Sequence, residues 1–134
     1  MLVDFWDRRK QITRGWFPAK FQAWKGQLSQ AQIAAIHAEI NRMIDAGKAA
    51  GKAIQTTSWM PGSDWTGTPF DPIYWTATKQ SSVQAGQCFG LFVQEVFMQR
   101  PEIWTSEHFE KDGIPIAGRT YFQIDPNTGA PVNS

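Results

Sequence analysis

The clearest periodic pattern in the chain is an apolar stripe between residues 29 and 47. Its members recur every three or four residues and are Ile33, Ile36, Ile40, Met43 and Ile44. This spacing is typical of an amphipathic helix with one face in a core. Ser29 and Gln32 stand in the positions of a capping box, which predicts the start of the helix. Gly47 predicts its C-terminal cap.

A second helical pattern covers residues 82–99, with Ser81 or Ser82 as the candidate cap. Its apolar positions lie on more than one side, which favours a largely buried helix. Gly86 and Gly90 share one face, and each costs about 1 kcal/mol relative to alanine in a helix interior. We therefore expect a bulky ring or another backbone to approach that face closely.

Shorter patterns account for much of the rest. Phe17-Pro18 predicts the start of a short helix, because proline is favoured in a first helical turn. Residues 53–59 and 119–124 are rich in β-branched and aromatic residues and predict strands. Asp112-Gly113 predicts a hairpin turn between residues 106–111 and 114–116. Residues 2–5 fit either a strand or the approach to a helix, and residues 126–134 predict a loose tail.

Segregated helices and strands predict an α+β fold, in which a small antiparallel sheet packs against two main helices. The length of 134 residues predicts a single domain, and the 42% hydrophobic content is typical of globular proteins. No apolar run approaches the roughly 20 residues of a membrane span, so no membrane partner is expected. The N-terminal residues lack the pattern of a secretory signal, and we expect a cytoplasmic location.

Cys88 is the single cysteine of the chain, which excludes an intramolecular disulfide and a cysteine-based metal cluster within one chain. It lies among apolar residues of the second predicted helix. This position predicts a small buried apolar residue rather than a reactive thiol.

The aromatic loop, residues 57–76, is the main candidate for function. Its three prolines exclude a long helix, and its rings are too numerous for an ordinary solvated loop. The rings could line a pocket or fill the core, and the sequence leaves both alternatives open. Candidate ligand-binding residues are Trp59, Asp64, Trp65, Thr66, Tyr74 and Trp75.

These residues favour a non-catalytic binding module as the leading hypothesis. Tryptophan and tyrosine faces suit an apolar or cationic small molecule or a partner segment, and Asp64 could balance a positive charge. The hypothesis includes no cofactor and no metal. A homodimer is a further alternative, because it would cover apolar surface that one short chain leaves exposed.

An enzyme, such as a hydrolase or lyase, is the first alternative. It would use His108 as general base, oriented by Asp64 or Glu110. In a strand, His108 and Glu110 would share one face. The same alternation is also common on a solvated strand face, so the pattern alone does not establish catalysis.

Nucleic-acid binding is the second alternative and rests on the basic window, residues 8–25. This window contains aromatic residues interspersed with six cations, and it has no acidic residue. The cations are Arg8, Arg9, Lys10, Arg14, Lys20 and Lys25. Cations and rings together are typical of phosphate contact and base stacking. The net charge of only +1 and the lack of a module signature make a nucleic acid the less favoured partner.

Overall fold

The computed structural model describes residues 1–52, 54–56, 65–108, 110–111, 114–115 and 118–132. Its α-helices are Pro18–Lys25 (α1), Gln30–Ala49 (α2) and Ser82–Gln99 (α3), and Ile73–Ala77 forms a π-helical turn. Its strands are Leu2–Val3 (β1), Gln11–Ile12 (β2), Ile54–Thr56 (β3), Trp104–Glu107 (β4), Glu110–Lys111 (β5), Ile114–Pro115 (β6) and Thr120–Gln123 (β7). The predicted α+β fold with two main helices is confirmed.

The main sheet has the strand order β2-β1-β4-β7-β3. Strand β7 pairs antiparallel with both β4 and β3, whereas β1 pairs parallel with β4. The sheet is therefore mixed: the predicted antiparallel pairing holds for β1 with β2, β3 with β7 and β4 with β7, but not for β1 with β4. The chain passes through all three helices between β1 and β4, and such a long crossover allows parallel pairing.

The core lies around α3, which packs against α1, α2, the π-helical turn and β1. Helix α2 contributes Ile36, Ile40 and Ile44, which are fully buried as the apolar stripe predicts. On the sheet side, the ring of Phe97 stacks on that of Tyr121 with their centroids 4.1 Å apart. Helix α3 is thus the central element of the fold.

The predicted capping box of α2 is present. Ser29 Oγ accepts a hydrogen bond from the backbone N–H of Gln32 at 3.1 Å, and Gln32 Oε1 accepts one from the N–H of Ser29 at 2.9 Å. The predicted cap at Gly47 is wrong, because the helix continues to Ala49. Gly47 is instead a packing position, where a Cβ would collide with the side chain of Gln55.

Helix α3 begins after the predicted Ser81 cap, whose Oγ accepts the N–H of Gln84 at 3.3 Å. At its other end, Arg100 connects α3 to α2. The guanidinium donates to Asn41 Oδ1 at 2.8 Å and to Asp45 Oδ1 at 2.6 Å. Both ends of the helix are therefore fixed by side-chain hydrogen bonds.

The C-terminal residues form a hydrogen-bonded turn as far as Val132. The N–H of Asp125 donates to the carbonyl of Ala130 at 2.9 Å, and the N–H of Val132 donates to that of Gln123 at 2.9 Å. This part of the predicted loose tail thus folds back beside β7. Strands β5 and β6 pair antiparallel, as a hairpin requires, and the predicted turn Asp112-Gly113 lies outside the described residues.

No helix within the described part of the chain is both long and apolar enough to cross a membrane.

Candidate functional site

A groove of about 840 Å³ opens between the start of α1, the outer face of α3 and the ends of β4 and β7. This volume lies within the range of small-molecule sites. The described lining residues are Trp16, Phe17, Lys20, Trp24, Trp65, Val83, Gly86, Gln87, Phe89, Gly90, Leu91, His108, Gly118, Arg119 and Tyr121.

Gly86 and Gly90 of α3 form part of the groove floor. A Cβ built on either glycine would meet no described atom within 4 Å. The expectation that a ring or another backbone approaches this face closely is therefore wrong for the described residues. The two glycines widen the groove instead.

One wall of the groove comes from the end of the aromatic loop. The ring of Trp65 lies 5.7 Å from that of Phe89 on α3, measured between centroids. Phe70 supports both, with centroids 6.2 Å from Trp65 and 4.9 Å from Phe89. Phe70 is buried in the core, whereas Trp65 is half-buried. The described end of the loop therefore both fills the core and lines a pocket.

Another part of the lining comes from the segment before α1 and from α1 itself. Gln94 Oε1, buried on α3, accepts the backbone N–H of Trp16 at 3.2 Å and so fixes this segment to the core. Phe17 has φ 49° and ψ 55°, a left-handed conformation that is rare for a bulky residue. Such strain is concentrated at functional sites. Here it directs the chain from Trp16 into Pro18 at the start of α1.

Two cations at the groove lie against tryptophan rings. The guanidinium carbon of Arg119 is 3.9 Å from the centroid of Trp16, and Lys20 Nζ is 5.2 Å from that of Trp24. Lys20 Nζ also lies 3.4 Å from Gln87 Oε1. Cation–π contact of this kind holds the charge at the aromatic wall.

His108 adds a titratable ring to the groove. Its Nδ1 lies 3.2 Å from the carbonyl oxygen of Gly118. A carbonyl oxygen only accepts, so Nδ1 carries the proton and Nε2 is the basic nitrogen of the neutral ring. Glu107 Oε1 accepts the backbone N–H of His108 at 2.8 Å. A backbone carbonyl, rather than that carboxylate, therefore orients the imidazole.

The structure brings one of the predicted ligand-binding residues, Trp65, to the groove. Thr66 is exposed beside it, and Tyr74 packs on the core with its ring 5.2 Å from that of Trp75. Trp75 is 54% exposed and is not among the described lining residues. The remaining two candidates, Trp59 and Asp64, lie outside the described residues.

The candidate partners of His108 in catalysis are not placed by the structure. Asp64 lies outside the described residues, and Glu110 is described only as part of β5. Within the described residues, no group of three or more His, Cys, Asp or Glu side chains could hold a metal ion. Burial raises the pKa of the Cys88 thiol to about 12, so this cysteine is not a thiolate nucleophile near neutral pH.

The basic window does not present all its cations to one ligand. Lys25 Nζ lies 2.8 Å from Glu95 Oε2 in an ion pair that is mostly shielded from solvent. Arg8 donates to the carbonyls of Phe5 and Gly129. Lys20 alone among the six cations lines the groove.

The sequence places Trp16, Phe17 and Lys20 together in the basic window, residues 8–25, but it assigns neither Phe89 nor Arg119 to a candidate site. The signal that could have located the groove is the pair Gly86 and Gly90, since they mark the face of α3 on which the site is built.

Comparisons of the chain with protein-family models, with curated proteins and with solved structures found no match, so any function rests on the geometry of the groove.

Proposed function

We propose that the protein is a binding module for a small molecule with a flat apolar body, held in the groove between Trp65 and the aromatic residues of the α1 wall. The observation that carries the proposal is the open glycine floor. Gly86 and Gly90 lie in the interior of α3, and neither has a described neighbour within 4 Å of a built Cβ.

The glycines reduce helix stability without a packing gain from the described residues. Each costs about 1 kcal/mol relative to alanine. Close packing inside the protein would explain such a cost, but no atom of the described residues lies within 4 Å of a Cβ built on either glycine. An occupant from outside the described structure explains it, because glycines let a flat ring approach the helix backbone.

The walls suit such an occupant. The aromatic residues Trp16, Trp24, Trp65 and Phe89 all line the groove and offer aromatic surface around the same space. Aromatic rings favour offset or edge-to-face contact, and burial contributes roughly 25 cal/mol for each Å² of apolar surface removed from water. A few polar groups at the groove would fix orientation, as in other small-molecule sites.

A fluorescent probe, together with a substitution that fills the groove, tests the proposal. N-phenyl-1-naphthylamine is a neutral probe whose fluorescence rises in apolar surroundings, and we expect saturable binding to the intact chain. Gly90→Met would place a side chain on the groove floor. We expect it to weaken binding of the probe at least about tenfold, which corresponds to about 1.4 kcal/mol of binding free energy. Gln99→Met is the control, because Gln99 is exposed on the same helix and is not a lining residue.

The proposal is wrong if the probe does not bind, or if it binds equally well to the Gly90→Met variant. Circular dichroism of each variant verifies that α3 is intact. Trp65→Ala provides an independent check, since removing that wall should also weaken binding.

A homodimer is the alternative occupant of the same surface. Phe17 and Val83 are 71% and 73% exposed at the groove and would be covered by a second copy. Light scattering after size-exclusion chromatography distinguishes the two. A dimer that dissociates in the Phe17→Ser variant would favour self-association over ligand binding.

Catalysis is the second candidate function, supported by the defined tautomer of His108 in the groove wall. Nε2 could accept a proton from a bound substrate. Hydrolysis of aromatic esters that is lost in the His108→Gln variant would support an enzyme. Equal rates with and without His108 would contradict it.

A further inference from the structure

We infer that the ligand carries a hydrogen-bond donor on its flat body, so that the site recognises a phenol or a related ring with an O–H or N–H group. This inference rests on the proposed function and names the chemical class of its ligand. The donor would meet Nε2 of His108, a residue that lines the same groove as the glycine floor.

The imidazole of His108 has a defined arrangement of donor and acceptor. Its Nδ1 lies 3.2 Å from the carbonyl oxygen of Gly118, which is also a lining residue. A carbonyl oxygen only accepts, so Nδ1 is the nitrogen that carries the proton. In the neutral ring, Nε2 then has a lone pair and no proton. It can accept a hydrogen bond but cannot donate one.

The described residues leave this acceptor to an outside partner. Within the described part of the chain, the His108 ring makes its hydrogen bond with Gly118, and that bond occupies Nδ1. The carboxylate of Glu107 accepts the backbone N–H of His108 at 2.8 Å. His108 is exposed, so a molecule in the groove can reach Nε2.

A ligand that fills the groove makes this acceptor selective. The ligand displaces water from the lining, including water that hydrates an exposed imidazole nitrogen. A donor on the ligand replaces the lost hydrogen bond, whereas a ligand without a donor leaves the nitrogen unsatisfied. Sites that hydrogen-bond a substrate O–H or N–H reject analogues that lack this group for the same reason.

Lys20, another lining residue, favours a hydroxyl as the donor. Its Nζ lies 3.4 Å from Gln87 Oε1, and an ammonium group donates hydrogen bonds but accepts none. A hydroxyl has one proton and two lone pairs, so it is compatible with both His108 and Lys20. An ether oxygen on the same ring could accept from Lys20 but could not donate to His108.

A matched pair of ligands tests the inference. 2-Naphthol and 2-methoxynaphthalene share one aromatic body, and in the second a methyl group replaces the hydroxyl proton. Displacement of N-phenyl-1-naphthylamine measures both affinities at pH 7.5, at which a phenolic hydroxyl keeps its proton and ordinary imidazole groups are mostly neutral. We expect 2-naphthol to bind about three- to tenfold more tightly, the effect of one neutral hydrogen bond.

Variants at position 108 locate this preference. His108→Phe keeps a flat ring without the acceptor, and we expect the ratio of the two affinities to fall about three- to tenfold relative to the parent. The ratio cancels the difference in hydrophobicity between the two ligands. His108→Gln presents a side-chain carbonyl and should retain part of the preference.

Gln99→Met is the control for these variants, because Gln99 is exposed on α3 and is not a lining residue. It should leave the ratio unchanged. Circular dichroism verifies that each variant is folded.

Each outcome decides one of the two proposals. If neither naphthalene displaces the probe, or if Gly90→Met has no effect on either, both the function and the ligand class are overturned. If both bind in the groove but the ratio is the same in the parent and in His108→Phe, the ligand class alone is overturned. A ratio that falls in His108→Phe and is partly retained in His108→Gln supports it.

Discussion

The guanidinium carbon of Arg119 lies 3.9 Å from the centroid of the Trp16 ring. The contact joins the residue before β7 to the segment before α1, across a separation of more than a hundred positions. It therefore joins two lining residues of the groove that come from distant parts of the chain. The shape of the site depends on a long-range contact rather than on a local motif.

We expect the Trp16–Arg119 pair to contribute measurably to stability. Trp16→Ala and Arg119→Ala should each lower the free energy of unfolding, and their double-mutant coupling should be about 0.5–2 kcal/mol, the range of cation–π contacts. Urea denaturation of the two single variants and the double variant measures it. If the effects of the two single substitutions simply add up in the double variant, the contact between the two side chains contributes no coupling energy.

The same substitution should have opposite effects at two helical glycines. Gly86→Ala should raise the free energy of unfolding by about 0.5–1 kcal/mol, because the new methyl enters open space and improves helix propensity. Gly47→Ala should lower it, because the methyl would collide with Gln55. Equal effects at both sites in chemical denaturation would contradict this difference. Gln55→Ala should relieve the penalty at position 47.

The stability of the protein should fall in acid as Glu102 gains a proton. Burial alone would raise the pKa of Glu102, but hydrogen bonds from Arg100, Trp104 and Lys48 outweigh it and lower the pKa to about 2, from an ordinary value of 4.5. The carboxylate therefore stabilises the fold above about pH 4.5, and this contribution is lost as the pH falls toward 2. A shift of this size corresponds to at most about 3 kcal/mol, which solvent screening reduces.

Glu102→Gln should flatten that part of the stability profile. Thermal or urea unfolding of both proteins between pH 2 and pH 6 makes the comparison. A variant with the same pH dependence as the parent would show that other carboxylates cause the acid sensitivity.

We expect two glutamates in ion pairs to contribute very differently to the free energy of unfolding. Glu95 lies 2.8 Å from both Lys25 Nζ and His37 Nε2 between the three helices, with its side chain 16% exposed. Glu95→Gln leaves a shielded cation without its counter-charge and should cost about 1–3 kcal/mol. Glu39→Gln breaks a pair with the exposed Arg42 and should change stability much less, because solvent screens that pair. Urea denaturation of both variants measures the two losses of stability. Equal losses would contradict this prediction.

Sequence patterns predicted the elements whose signals are local. The start of α2 follows from Ser29 and Gln32, since both halves of a capping box lie within one turn. Local sequence does not predict the role of Gly47. A glycine that ends a helix cannot be distinguished by sequence from a glycine that makes room for a side chain such as that of Gln55. The parallel pairing of β1 with β4 also depends on the crossover as a whole.

The candidate site was only partly predictable for the same reason. Trp65 could be selected from aromatic density, but other lining residues come from α1 and the segment before it, from α3 and from the chain around the start of β7. Arg119 carries no local signal that connects it to Trp16. The contact between Arg119 and Trp16 therefore depends on the tertiary fold, which places these distant segments together.

The floor of the groove belongs to α3, the helix that packs against α1, α2, the π-helical turn and β1. Backbone amides in such a central element exchange with solvent mainly when the whole molecule opens. A ligand bound on Gly86 and Gly90 would therefore slow hydrogen exchange along all of α3. Its binding would raise the free energy of global unfolding.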